Sequence, residues 1–155
     1  MTGRACDMTD LRADFIERLG VLALSEGGSR NAGRLFGLLA FEGRAMTAAE
    51  IAGALRISPS SVAQGARFLQ SHGMIRRVAH KTRRAGALEL APDVFDALQG
   101  WICARRRAVC QEFDDIIAAL PESAADTRDR LETHARFHRS IASAIASVED
   151  RTRDR

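Results

Sequence analysis

Residues 58–73, SPSSVAQGARFLQSHG, place Ser60, Gln64, Arg67 and Ser71 four, three and four positions apart. At about 100° per residue this spacing lines them along one side of a helix. Val62, Ala66 and Leu69 share another side, which is expected to pack on the preceding helix. Ser61 and Gly65 flank the polar line near the helix start, so the outward surface carries little bulk. Small groups let a backbone approach closely, and the amide and hydroxyls offer donors and acceptors. That is the chemistry of reading base edges in a DNA major groove. N–H groups at Ser60 and Ser61, behind Ser58 as the cap, can also hold a phosphate.

A second set of candidates follows 10 residues later in HKTRRAG, where Lys81, Arg83 and Arg84 stand between two short alternating apolar segments, MIRRVA and GALEL. The pattern reads as a β-hairpin with a long charged tip. Its cations can reach a nucleic-acid backbone or the adjacent minor groove. An exposed hairpin kept soluble by charge would have the same composition.

Other reactive residues have plainer readings. His134 and His138, four apart, have a spacing that can bind zinc. No third ligand lies nearby, and both fall on an apolar seam, so interface packing is expected and no metal is assigned. Cys103 and Cys110 would lie about 10 Å apart along one helix, too far to bridge each other. Buried, inert thiols are expected, although the neighbouring Arg105, Arg106 and Arg107 could activate one as a sensor. Trp101 and Phe36 are candidates for an aromatic ligand cage, with core packing as the default. No catalytic triad, HExxH or phosphate-binding glycine loop occurs. The expectation is therefore a protein that is not an enzyme and needs no cofactor.

The elements that must position these residues are helical. TDLRADFIERLGVLAL carries Leu11, Phe15, Leu19 and Leu22 at helical spacing, with Thr9 or Asp10 as cap. A second helix opens at Ser29 and stops at Gly43. Thr47 and Glu50 form a capping box for AAEIAGAL. Ser58 and Pro59 open the polar-faced helix, and Gly73 closes it. After the hairpin, Pro92 and Asp93 start a long helix, with an apolar face from Val94 to Leu120, that Pro121 ends. A last helix starts near Ser123 and alternates threes and fours through Leu131, His134, His138, Ile141, Ile145 and Val148.

The chain has 155 residues, 46% apolar, enough for one domain with helical extensions. No run of 18 apolar residues spans a membrane, and the charged first 20 residues lack the apolar run of a signal peptide, so a cytoplasmic location is expected. Residues 56–107 hold 10 basic and 3 acidic groups, whereas the flanking segments are mildly acidic. The basic centre points to a polyanion partner, though a solvated face or a compositional preference for Arg would also account for it.

A short helix, a turn, a second helix and a basic hairpin make a winged helix-turn-helix. The run AAEIAGALRISPSSVAQGARFLQSHGMIRRV with its basic wing resembles the MarR family of bacterial transcriptional regulators over about residues 10–120. SRNAGRLFGLLAF is similar to the second helix of the GbsR-like subgroup. Gly65 stands where a larger apolar residue is common, and the wing lacks a usual Asp-Arg pairing. The resemblance implies a dimer with intertwined terminal helices that reads a pseudo-palindromic operator. It also implies release by a small-molecule effector.

The expected fold is mainly α with a small β-hairpin: a winged helix-turn-helix over 29–107, which includes the start of the long connecting helix. Residues 1–28 and 108–155 are expected to form the helical dimerisation region, through Leu11, Phe15, Leu131, His138, Ile141, Ile145 and Val148. Double-stranded DNA, read by Ser58, Ser60, Ser61, Gln64, Gly65, Arg67, Lys81, Arg83 and Arg84, is the expected partner of a dimeric repressor. A winged-helix adaptor for proteins, or a thiol- or metal-responsive sensor, are the rival readings.

Overall fold

A computed structural model describes residues 7–81 and 83–148, with Arg83 described by its backbone only. It contains α1 (Met8–Ser25), α2 (Arg30–Glu42), α3 (Ala48–Leu55), α4 (Pro59–Ser71), β1 (Ile75–His80), β2 (Arg83–Leu90), α5 (Val94–Ala119) and α6 (Ala125–Ala146). The mainly α architecture with one antiparallel hairpin is the expected fold class. Two compact units meet in sequence between Val94 and Phe95.

In the first unit the helix limits follow local chemistry. Ser29 Oγ accepts the Ala32 N–H and Gly43 ends α2 in a left-handed conformation. Thr47 and Glu50 form the reciprocal capping box of α3. Ser58 Oγ accepts the Ser61 N–H, with Pro59 at the first position of α4. These groups satisfy backbone donors that a helix start leaves unpaired. The cap of α1 is Asp7, whose side chain accepts the Thr9 N–H, rather than Thr9 or Asp10. A carboxylate earlier in the chain caps the first turn, so the helix begins sooner.

The core is built from Leu35, Leu38 and Leu39 of α2, Ile51 and Leu55 of α3, and Val62, Ala66 and Leu69 of α4, all essentially excluded from solvent. Burying a side chain of this size contributes about 1.5–3 kcal/mol. The α1–α2 contact is closer than side chains allow. A Cβ at Gly33 would lie 2.4 Å from the Leu19 carbonyl oxygen, and one at Gly20 would lie 2.7 Å from Arg34 Cγ. By compactness α1 therefore belongs with α2. The inward residues of α1 are Ile16 and Gly20, while Leu11, Phe15 and Leu22 remain exposed.

The hairpin is tied to this core at its base. Met46 and Leu88 exchange two backbone hydrogen bonds of 2.8 Å, and the Ala91 N–H donates to the Met74 carbonyl at 3.0 Å. Pairing runs from Ile75 opposite Leu90 to His80 opposite Arg83, with a register shift between Val78 and His80. The long tip expected over 80–86 is thus corrected. Gly86, at φ +72°, does not end the tip but lies inside β2, where the irregular register accommodates it. Both strands continue outward, β1 as far as His80 and β2 from Arg83.

In the second unit α5 and α6 run antiparallel. Gln99 Nε2 donates to the Ile145 carbonyl at 2.9 Å, and Arg139 pairs with Asp114 at 2.6 Å. Arg128 donates to the carbonyls of Ile117 and Leu120, satisfying the C-terminal end of α5. Residue 107 falls inside the unbroken α5. Cys103, Cys110 and Ala135 are the buried apolar residues among those described in this unit.

Candidate nucleic-acid interface

Helix α4 presents two chemically opposite sides. Val62, Gly65, Ala66 and Leu69 are buried, and Ser60, Gln64, Arg67 and Ser71 are exposed together on the other side. Its 13 residues include no Asp or Glu. The expected placement of Gly65 on the outward surface is corrected. A Cβ there would lie 3.3 Å from the Ala32 backbone nitrogen, so Gly65 faces α2 and lets the two helices approach. Its small size serves close packing inside the unit.

At the start of α4, three hydroxyls form a local network. Ser58 Oγ lies 2.9 Å from both Ser60 Oγ and Ser61 Oγ, and it also accepts the Ser61 N–H at 3.2 Å. The preceding turn holds Arg56 at φ 52°, a left-handed backbone that costs a side-chain-bearing residue about 1–2 kcal/mol. Arg56 is exposed beside the serines. Sequence reasoning passed over this cation. The signal was an Arg in the slot between two helices where glycine is usual.

The wing separates its charges along its length. At the base, Arg76 is paired with Glu89 at 2.7 Å, and Arg77 donates to the Ala85 carbonyl. Lys81 and Arg84, near the turn, are exposed. The Arg83 side chain lies outside the described residues. The basic groups expected to meet a polyanion are thus those farthest from the core, while the two inner arginines have internal partners.

Behind this surface, α1, α2 and α3 are joined by ions. Arg34 of α2 places Nε 2.6 Å from Glu17 Oε1 of α1, and its Nη2 donates 2.9 Å to the carbonyl of Leu55, the last residue of α3. Glu17 also accepts from Arg30 at 2.7 Å. The Arg30 hydrogen bond, with the positive charge of Arg34, holds the Glu17 carboxyl below its ordinary range against a smaller opposing effect of desolvation. No sequence pattern announced this link, because its three members come from separate helices.

The remaining candidates are distributed as follows. His134 and His138 stack on Phe113, with ring centroids 6.2 and 5.2 Å away, and Phe137 meets His138 edge-on at 5.6 Å. Among the described residues no cluster of three His, Cys, Asp or Glu is positioned to hold a metal. Cys103 and Cys110 are free and buried. Trp101 lies under the Arg105 guanidinium at 5.9 Å. Leu131, His138, Ile141 and Ile145 are half-buried on α6, and Val148, just beyond its end, is exposed. No helix among the described residues is long and apolar enough to cross a membrane.

Two packed helices, the second with a low-bulk polar face, followed by a core-anchored hairpin with a basic end, define a winged helix-turn-helix. By sequence, the chain matches no protein-family model and no curated protein. By structure, it is similar to a crystallised transcriptional regulator, with a TM-score of 0.74 and 24% identity over 93% of this chain and 99% of that one. That likeness shows a shared fold along nearly the whole length. A transcriptional regulator from Thermotoga maritima matches at a TM-score of 0.44 and 16% identity, over 84% of this chain and 91% of its own. An S. aureus MepR mutant bound to an oligodeoxyribonucleotide matches at 0.43 and 15%, over 86% and 92%.

Proposed function

We propose that the chain is a sequence-specific, DNA-binding transcriptional regulator of the MarR type, closest to the GbsR-like subgroup. The observation that carries the reading is the outward side of α4, which is exposed, free of carboxylates and low in bulk. In this reading α4 enters the major groove, Ser58, Ser60 and Ser61 meet the backbone, and Lys81, Arg83 and Arg84 clamp the flanking duplex. The shared fold with a transcriptional regulator supports it.

The working form in this proposal is a homodimer acting as a repressor on a pseudo-palindromic operator. Leu11, Phe15 and Leu22 are exposed on α1, as are Ile116 and Phe137 in the second unit. Apolar surface of this extent is stabilised by a covering partner, and a two-fold pairing of the terminal helices covers it. Release by a small-molecule effector follows from the MarR resemblance alone.

The test is a gel shift on fragmented genomic DNA at several salt concentrations, followed by sequencing of the bound fragments. Enrichment of a palindromic site, with affinity falling steeply as salt rises, is the expected result. Uniform, weak binding to every fragment would refute sequence-specific recognition and favour a protein-interaction role.

A further inference from the structure

The outward stripe of α4 carries four polar side chains, but two are engaged within the protein. Ser60 Oγ lies 2.9 Å from Ser58 Oγ in the capping network, and Ser71 Oγ donates to the Phe68 carbonyl at 2.8 Å. Gln64 and Arg67 are exposed and have no hydrogen-bond or ion-pair partner among the described residues. They are the two long side chains of the stripe left available. Three residues of helix rise about 4.5 Å, close to the roughly 3.4 Å between stacked bases. A helix lying along a groove therefore presents this pair to neighbouring base pairs. An amide matches the N6 and N7 edge of adenine in a bidentate way, and a guanidinium matches the O6 and N7 edge of guanine.

We propose that Gln64 and Arg67 are the base-reading pair, contacting an adenine and a guanine on adjacent base pairs of each half-site. Ser58, Ser60 and Ser61 then contribute position and not sequence. The inference rests on the DNA-binding reading above and narrows it to operators with an A·T pair beside a G·C pair.

The experiment uses the full chain and a pool of random duplexes, selected in parallel with the native protein, Gln64→Ala and Arg67→Ala. The native protein is expected to enrich a motif containing the adjacent pair. Each variant should lose preference at one of the two positions and retain the other. Replacing the enriched guanine by 7-deazaguanine removes its N7 acceptor. This should weaken native binding about tenfold and leave Arg67→Ala unaffected, with Arg67→Lys failing to restore the preference. Both residues are exposed, so circular dichroism and thermal unfolding should match the native protein. If the native protein and Arg67→Ala enrich the same guanine with equal strength, Arg67 touches phosphate and the proposed reading is overturned. A native motif without the adjacent pair overturns it as well. If the native protein enriches no motif at all, the broader DNA-recognition function fails, and this inference fails with it.

Discussion

Gly33→Ala and Gly53→Ala are the same chemical change in two helices, and the structure assigns them opposite signs. Alanine is favoured over glycine in a helix interior by about 1 kcal/mol, because the glycine chain loses more freedom on folding. At Gly53 an added Cβ meets nothing within 4 Å, so this gain should appear nearly whole. At Gly33 the same atom would lie 2.4 Å from the Leu19 carbonyl oxygen, 2.5 Å from Ala23 Cβ and 2.9 Å from Gly20 Cα. None of these is the movable end of a long side chain, so α1 and α2 must separate by roughly an ångström. A gap of that size forfeits a quarter to half of the dispersion energy between each pair of atoms it parts, and overpacking of this kind costs about 1–3 kcal/mol. Separation also lengthens the Glu17–Arg34 ion pair, now 2.6 Å. The net expectation is a loss of about 1–2 kcal/mol for Gly33→Ala. With a urea slope of about 2 kcal/mol/M, the midpoint falls by about 0.5–1 M. For Gly53→Ala it rises by about 0.3–0.5 M on the same slope. Urea titration followed by circular dichroism, at one fixed protein concentration, measures both. A Gly33→Ala midpoint at or above that of the native protein would refute the backbone-to-backbone account of the α1–α2 contact.

Three further outcomes follow. Replacing Lys81, Arg83 and Arg84 by Ala should weaken binding on every DNA sequence and reduce the logarithmic salt slope by up to about 0.9 for each phosphate no longer neutralised. Arg76→Ala, at a site already neutralised by Glu89, should change the slope far less, and equal effects would contradict the division of charge along the wing. Ile141→Glu should convert a dimer of twice 16.9 kDa into monomers and abolish operator binding, as read by light scattering and gel shift. A native protein that is monomeric at micromolar concentration yet binds one palindrome tightly would defeat the dimer proposal. The Glu50 carboxyl accepts from the Thr47 N–H and hydroxyl and from Arg44, which holds its pKa at about 2, below the ordinary 4.5. A depressed carboxylate contributes stability that is complete above the unfolded value and lost as pH falls through the folded one. Glu50→Gln should therefore flatten the loss of stability between pH 4.5 and 2. Parallel pH profiles from urea unfolding would show that the capping box does not titrate in this way.

Helix limits were largely legible because they depend on neighbours in sequence. Ser29, Thr47, Ser58 and Gly43 act within one turn of their own positions, and each does in the structure what its spacing implies. The stripe of Ser60, Gln64, Arg67 and Ser71 was legible for the same reason, since 100° per residue fixes which residues share a side. Gly65 is ambiguous in sequence because a missing side chain fits equally well against DNA or against a neighbouring helix, and only Ala32, 33 positions away, decides. The hairpin tip reads too long in sequence because a glycine such as Gly86 usually marks a turn, whereas register is a property of two strands together. The Glu17–Arg34–Leu55 link had no sequence signature, as charged residues are common on helices and only tertiary packing brings these together.

The glycine seam between α1 and α2 also sets terms for how this chain can diverge. Gly20 and Gly33 face each other's helix at close range: substitution at Gly33 requires a compensating retreat of the α1 backbone, and substitution at Gly20 requires the Arg34 and Arg30 side chains to move aside. Such paired changes are rare steps, and relatives with this helix pair should retain both glycines. The outer side of α1, with Leu11 and Leu22 exposed, meets no comparable restriction among the described residues. Among homologues, polar replacements should accumulate freely on that outer side if it faces water. They should be as rare as changes in the seam if it faces a second copy. One helix thus records two histories, and comparing their rates of change would distinguish a free surface from a covered one.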